Sequence, residues 1–344
     1  MQYNSRVWAP EHVQEIFSEV LFANRTISRS LVRGITDIKH SQAVSSLTGD
    51  IELGERIGFV TDVVWQARQN NLEFSDDVLV PNQLMALEKF DMNTLRNSRF
   101  GKDMKAGARN VESNEFETAV LNYTLPRIGK SYERRMHAGI TAATQAVIAA
   151  SNAAGLSPAH KAWAAAQTPG KVDGFGAQLL LWIAVQGAGV ITVPAVTLTN
   201  TNCLAEHTKI IAAAPAEVAG NSDTVLFVPP SDRALILQYN LNETYRDKYT
   251  VTGRGEEERV ELLGVPIEFV ETQGRNGGAS TGSPLRYLGR AGESGDFLYG
   301  TDVLSDQNTA QVEKVNAFST DIGMRMDMTL DTSIVVPQQK VLYL

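Results

Sequence analysis

The sequence predicts an α+β protein, because a strictly alternating strand near the C-terminus is combined with one long amphipathic helix. Apolar and polar side chains alternate without error over Ile322–Leu330, which is typical of a strand with one buried and one exposed face. Apolar side chains recur at helical spacing over Glu115–Ala138, a helix of roughly 36 Å. The apolar runs Ile334–Val336 and Val341–Leu344 supply one or two more strands, so we expect the chain to end inside a sheet.

The composition is that of a soluble globular protein with two subdomains. At 344 residues the chain can bury a large core, and its 43% hydrophobic and 20% charged content is ordinary for this class. The net charge of −8 argues against a general attraction to nucleic acid. The single cysteine, Cys203, excludes an intrachain disulfide and fits folding in a reducing compartment. Residues Met1–Arg6 lack the apolar core of a signal peptide, so we expect no export by that route.

One apolar segment, Phe175–Val196, has almost no charged residue. Gln178 and Gln186 interrupt it, and Gly187 breaks the helix before the roughly 20 residues that a membrane span needs. We therefore expect a buried helix followed by a strand at Val190–Leu198, and no membrane partner.

The N-terminal segment contains one amphipathic helix that begins after Pro10. Around it, Met1–Trp8 and Asn24–His40 are polar and are predicted to be irregular. A single helix on an extended arm cannot bury its own apolar stripe, so the stripe is expected to dock elsewhere on the chain or on a neighbouring molecule. The stripe consists of Val13, Ile16, Phe17, Val20 and Leu21.

Residues 41–92 are predicted to be β structure. Two stretches have strand-like composition: the first is Ile57–Trp65, and the second is Val78–Val80 with Leu84–Phe90. The polar run Gln66–Asp77 joins them. The pattern fits either an ordinary surface hairpin or a long arm that reaches another subunit. In the second case Trp65 is a candidate contact residue.

The long helix carries both signs of charge. Glu115 and Glu117 lie in its first turn, which suits the helix dipole. Pro126 lies inside the helix and is expected to bend it. The basic residues of the second half, which give neighbouring molecules a charged face to contact, are Arg127, Lys130, Arg134 and Arg135. A further basic run, Arg96–Arg109, fits a solvated face, an intersubunit ion-pair site or a weak contact with phosphate.

The middle of the chain is predicted to alternate between helices and short strands. Helices are predicted within Ile140–Lys171, with a restart at Ser157–Pro158, and at Cys203–Ala214 and Ser231–Leu241. Strands are predicted at Thr224–Val228 and, as a pair, around Gly264. Gly274–Gly295 is predicted to be a mobile loop.

No motif for catalysis or cofactor binding emerges from the sequence. The five histidines show no HExxH spacing. Cys203 and His207 are four residues apart and would supply two metal ligands, where a site needs three or four. The stretch Gly274–Gly282 lacks the lysine of a phosphate-binding loop, and Gly292–Gly295 misses the spacing of a nucleophile elbow. We therefore predict no catalytic residue, no metal ligand and no cofactor, and a protein whose work is assembly.

Several short stretches, taken in their order along the chain, resemble the major capsid proteins of tailed bacteriophages, which have the Hong Kong 97-type fold. The resemblance covers about residues 50 to 344 and is greatest to capsid proteins of phages that infect gut and aquatic Bacteroidetes. The stretches are Val80–Pro81, Asn114–Phe116 opening a long helix, Thr197–Asn202, Val225–Val228, Leu263–Ile267 and Phe297–Asp306.

The resemblance implies a division of the chain into the parts of that fold. It assigns residues 1–50 to an N-terminal arm and 51–92 to an extended β-hairpin loop. A peripheral domain, with the spine helix and an antiparallel sheet, takes 93–139 and 301–344. An axial α/β domain takes 140–300, with Gly253–Arg259 as a candidate for the capsomer axis.

The resemblance also implies partners and a location. Copies of the chain are expected to form hexamers and pentamers of an icosahedral shell that encloses a double-stranded DNA genome, with the packaged DNA contacted weakly and non-specifically. A portal is expected as a further partner, and separate scaffolding or decoration proteins are possible ones. The location is the virion, after assembly in the cytoplasm of the bacterial host. The alternatives are an encapsulin-like nanocompartment shell and an enzyme with an unrecognised site near Gly274–Gly295. The candidate intersubunit contacts are Val13, Ile16, Phe17, Val20, Leu21, Trp65, Arg127, Lys130, Arg134 and Arg135.

Overall fold

The computed structural model confirms a fold that mixes helices and sheets. It describes residues 6–7, 24–49, 72–90, 114–187, 189–242, 248–253, 259–272, 274–276, 279–281, 284–302, 310–314 and 322–344. The predicted stripe of residues 13–21, Trp65, the basic run 96–109 and most of the loop 253–259 lie outside these residues.

The elements are numbered in chain order. The helices are α1 (Arg25–Ser28), α2 (Asn114–Ala138), α3 (Ala142–Ala150), α4 (Pro158–Ala166), α5 (Phe175–Gln186), α6 (Cys203–Ala212) and α7 (Pro230–Asn242). The strands are β1 (Arg6–Val7), β2 (Arg33–Ile35), β3 (Gln42–Gly49), β4 (Leu72–Leu79), β5 (Asn82–Phe90), β6 (Ile191–Val193), β7 (Thr224–Val228), β8 (Thr250–Thr252), β9 (Arg259–Leu262), β10 (Val265–Phe269), β11 (Gly274–Asn276), β12 (Ala279–Thr281), β13 (Arg286–Arg290), β14 (Phe297–Gly300), β15 (Ala310–Lys314), β16 (Ile322–Ile334) and β17 (Val341–Tyr343).

A six-stranded sheet is built around the long strand β16. Its order is β1-β15-β16-β14-β2, and β5 pairs with the other edge of β16. As the alternation predicts, Met324, Met326 and Met328 are buried and Arg325 is exposed. Thr329 departs from the alternation because it is buried, where its hydroxyl accepts a hydrogen bond from the Asp302 backbone N–H at 2.9 Å.

A seven-stranded sheet in the order β6-β17-β13-β7-β10-β9-β8 forms the second half of the molecule. Every residue of β7 is buried, which is expected of a central strand covered on both faces. The two predicted strands around Gly264 are confirmed as β9 and β10. Gly264, with a φ of +78°, makes the tight turn between them, a conformation that glycine adopts without steric cost.

The two sheets meet at an aromatic cluster. Phe297 of β14 packs against Phe227 of β7, with ring centroids 5.4 Å apart, and against Tyr287 of β13 at 5.6 Å. Phe175, at the start of α5, lies 5.1 Å from Phe297. All four side chains are fully buried, so this cluster is the centre of the core that joins the sheets.

The segment Asn24–His40, predicted to be irregular, is ordered against the body of its own chain. It forms α1 and then β2, which pairs in parallel with β14. Leu31 and Val32 are buried in the core. Residues 24–40 of the arm assigned to 1–50 are therefore part of the subunit body, because Leu31 and Val32 have a place to pack that the local sequence does not reveal.

The predicted hairpin differs from the structure in its boundaries. Its described strands are β3 and β4, paired from Gln42–Leu79 to Gly49–Leu72, so Leu72–Asp77, predicted as part of a polar connector, is strand. The final predicted strand, β5, belongs instead to the six-stranded sheet. We call the β3–β4 pair the ribbon.

Two further predictions are corrected by long-range pairing. The last strand, β17, lies in the seven-stranded sheet between β6 and β13, and not with β16 as the assignment of 301–344 to one domain requires. The predicted mobile loop Gly274–Gly295 contains the β11–β12 hairpin and the buried strand β13. Partners that lie far away in the sequence decide the placement of β17 and β13, whereas the β11–β12 hairpin is a local pairing.

Candidate functional site

Strand β5 has one edge that no other described strand pairs with. Among the strands that the structure describes, β5 pairs only with β16, from Phe90–Ile322 to Asn82–Leu330. Leu84 and Ala86 pack against the core, whereas Met85 and Leu87 are 57% and 64% exposed. An open strand edge that carries exposed apolar side chains is a template for pairing with another chain.

A groove of about 540 Å³ lies between β5 and α2. We call it the β5 groove; its lining includes Leu84, Leu87 and Ile128. Tyr123 lies at its side with 59% of its surface exposed. The Arg127 guanidinium lies 3.5 Å from the centroid of that ring and donates a hydrogen bond to the Tyr123 carbonyl at 2.8 Å. The groove thus combines apolar surface with a positioned positive charge.

The four predicted basic residues of α2 do not all reach this groove. Arg127 and Arg135 line it. Lys130 is exposed and Arg134 half-buried, with its Nη2 donating to the Ser131 hydroxyl at 3.1 Å. Their role as intersubunit contacts stays a prediction. The sequence did not predict the groove, because the exposure of Met85 and Leu87 can be recognised only once the position of β5 in the sheet is known.

A buried hydrogen-bond chain fastens α1 to α2 and β13. The Thr26 hydroxyl donates to Glu133 Oε1 at 2.7 Å and lies 2.8 Å from His137 Nε2, while His137 Nδ1 contacts the Tyr287 hydroxyl. Burial lowers the pKa of His137 to about 3, so the ring is neutral. With the Thr26 hydroxyl donating to Glu133, Nε2–H of His137 donates to Thr26 and Nδ1 accepts from Tyr287. Burial also raises the pKa of Glu133, in spite of hydrogen bonds from Thr26.

Replacing Thr26 by valine is expected to lower the free energy of unfolding by about 2 kcal/mol, because Glu133 loses a donor and His137 an acceptor inside the core. Urea unfolding measures this loss. Ser28→Ala, an exposed change two residues away, is expected to have an effect within about 0.5 kcal/mol. Equal losses of stability for the two variants would show that the buried hydrogen bonds of Thr26 do not stabilise the fold.

The arrangement that most resembles a catalytic group is closed to solvent. His207 Nδ1 lies 2.9 Å from the Tyr249 hydroxyl, and His207 Nε2 lies 3.5 Å from Asp232 Oδ2. Arg286 binds Asp232 through Nε and Nη2, the latter at 2.7 Å. Because all four side chains are buried, this network supports the packing of α6 and α7 on β13. Cys203 and His207, considered as a metal pair, gain no third ligand: the described part of the chain contains no group of side chains that could hold a metal ion.

Among the described residues, no helix has both the length and the apolar composition that crossing a bilayer requires.

Solved structures resemble this chain over nearly its whole length. A chain of the satellite phage P4 procapsid, determined with its size determination (Sid) protein, has 11% identity and a TM-score of 0.50, with 96% of this chain and 97% of that chain covered. The capsid of cyanophage P-SCSP1u has 10% identity, a TM-score of 0.48 and coverage of 92% and 87%. The holo-SrpI encapsulin complex of Synechococcus elongatus has 9% identity, a TM-score of 0.45 and coverage of 93% and 86%.

No protein-family profile and no curated protein matches the sequence. The likeness to the P4 procapsid chain shows a shared fold.

Proposed function

We propose that this protein is a major capsid protein, which assembles with copies of itself into the hexamers and pentamers of an icosahedral phage shell. The observation that carries the proposal is the open edge of β5 beside the β5 groove. The shared fold with a P4 procapsid chain supports it. Many copies in a closed shell repeat each contact, so a modest surface of this kind suffices for stable assembly.

The β5 edge is suited to a neighbouring subunit for two physical reasons. Its outer backbone groups can extend the six-stranded sheet by main-chain hydrogen bonds. Met85 and Leu87 are large apolar side chains on this strand that the described residues leave exposed, and covering them removes apolar surface from water. The Arg127–Tyr123 pair adds an aromatic and an arginine, residue types enriched at interfaces.

The parts of the chain take the roles of the Hong Kong 97-type fold in this proposal. Residues 1–23 act as the N-terminal arm, and the ribbon with its connection, 42–79, acts as the extended loop. The peripheral domain consists of α2 and the six-stranded sheet, and the axial domain of the seven-stranded sheet with β17. The residues Val13, Ile16, Phe17, Val20, Leu21 and Trp65 belong to the arm and loop contacts.

The remaining features follow from the same proposal. The protein performs no catalysis and needs no cofactor. A portal and packaged DNA are its partners in the virion, with separate scaffolding or decoration proteins as further candidates, and assembly takes place in the bacterial cytoplasm. The closer relation to capsid proteins of phages that infect Bacteroidetes stays a prediction. An encapsulin-like shell would enclose protein cargo, and particles that contain double-stranded DNA would exclude it.

The proposal is tested by replacing Leu87 with aspartate, alone and together with Met85→Asp. We expect the variants to remain folded by circular dichroism but to yield no closed shells by electron microscopy, because a charge at the β5 edge opposes its burial. Size-exclusion chromatography is expected to show subunits or small oligomers.

Val147→Asp is the matched control, since Val147 is an exposed apolar residue on α3 outside the β5 groove. We expect it to form shells as the unmodified protein does. Shells of normal yield from Leu87→Asp would show that β5 does not lie in the interface between subunits. An unmodified protein that stays a small oligomer at high concentration would contradict the capsid function.

A further inference from the structure

The ribbon is fastened to the body of the subunit by carboxylates. Where β4 ends, Asp331 Oδ2 of β16 accepts a hydrogen bond from the Val80 backbone N–H at 2.6 Å. Asp77 of β4 accepts a hydrogen bond from the hydroxyl of Ser333 on β16. We call this junction the ribbon base. Both links across it depend on an acidic side chain as the acceptor.

Negative charge is concentrated at the ribbon base. Asp77, Asp173 and Asp331 line one cavity of about 960 Å³ between the ribbon and the body. Asp76 lines it as well, and Lys171 is the one basic side chain among the described residues of its lining. The Asp173 oxygens accept hydrogen bonds from Thr141 and Thr144, so this carboxylate is held in place.

This environment changes the acidity of Asp331. Burial, and then the charges of Asp77 and Asp173, raise the pKa of Asp331 from 3.8 to about 6. Hydrogen bonds from the backbone N–H groups of Val80 and Thr332 act in the opposite direction because they favour the ionised carboxylate. The raised pKa means that desolvation and repulsion outweigh these two hydrogen bonds. The closed junction therefore holds an ionised Asp331 at a cost in free energy.

We propose that the ribbon base is a proton-operated hinge, in which a neutral Asp331 holds the ribbon against the body and an ionised Asp331 loosens it. When the ribbon base opens, Asp331 gains water and moves away from Asp77, so its pKa falls toward the ordinary value. Because the closed state binds the proton more tightly than the open state, the closed state gains stability as the pH falls through about 6 and loses it as the pH rises. The ribbon position thereby responds to pH close to neutrality, and this inference does not rest on the proposed function.

Hydrogen exchange of the ribbon base tests this hinge in the full-length protein. Asp331→Asn keeps an oxygen acceptor for Val80 and imitates the neutral side chain. At about pH 7.5, amides of residues 76–80 are expected to exchange roughly ten-fold more slowly in Asp331→Asn than in the unmodified protein. At about pH 5 the two proteins are expected to exchange alike, because Asp331 is then neutral. Comparing the two proteins at one pH cancels the intrinsic pH dependence of exchange.

Asp327→Asn is the control, because Asp327 lies on the same strand and pairs with Arg325 at the surface. It is expected to exchange like the unmodified protein at both pH values. Asp77→Asn, which retains an acceptor for Ser333 and removes one repelling charge, is expected to move the pH midpoint of the exchange difference downward. A ratio of exchange rates that is the same at both pH values would overturn the hinge, as would faster exchange in Asp331→Asn throughout.

Discussion

Replacing Arg286 by methionine is expected to lower the free energy of unfolding by about 3–5 kcal/mol. The Arg286 guanidinium binds both oxygens of Asp232, and both side chains are buried. Burial alone would raise the pKa of Asp232, but the adjacent His207 ring and the bound Arg286 guanidinium lower it. The variant leaves this carboxylate in the core without its main partner, and an uncompensated buried charge is costly.

Urea unfolding of Arg286→Met and of Arg325→Met separates this effect from the general loss of an arginine. Arg325 pairs with Asp327 at the surface, with about half of its side chain exposed, and such pairs contribute at most about 1 kcal/mol. Arg286→Met combined with Asp232→Leu is expected to recover part of the lost stability, because no charge then remains buried. Equal losses for the two single variants would show that the network contributes no more than a surface pair.

Replacing Phe297 by alanine is expected to cost about 3–5 kcal/mol of stability. Phe297 is fully buried and contacts the rings of Phe175, Phe227 and Tyr287. Its removal leaves a cavity where the two sheets and α5 meet, and close-packed rings on three sides leave little room for collapse.

Thermal and urea unfolding measure this effect, and Leu241→Ala provides the comparison. Leu241 is an exposed apolar residue on α7, so its truncation is expected to change stability by about 0.5 kcal/mol or less. A loss for Phe297→Ala that is no larger than for Leu241→Ala would place the centre of the core elsewhere.

Much of the secondary structure could be predicted because its signals are local. The alternation of β16 and the apolar periodicity of α2 both come from one buried face, and both elements lie where the patterns place them. The predicted start of a new helix at Ser157–Pro158 is also confirmed, with Ser157 capping α4. In each case side chains only a few residues apart in the sequence determine the backbone conformation.

The pairing partners could not be predicted, because they depend on residues far away in the chain. Strand β13 has glycine-rich surroundings that indicate a loop, yet β7 and β17 on its two sides make it a central strand. The ribbon base likewise joins Val80 to Asp331 across the chain. The β5 groove was missed for the same reason, since only the completed sheet leaves Leu87 exposed.

The placement of β17 has a mechanical consequence. The chain passes from the six-stranded sheet to the seven-stranded sheet after β5, returns at β14 and crosses again to β17. These crossings tie the two sheets together covalently, and the rings of Phe297, Phe227 and Tyr287 pack where the sheets meet. We therefore expect the two halves to unfold together, with a load on one sheet passed to the other through the shared aromatic core.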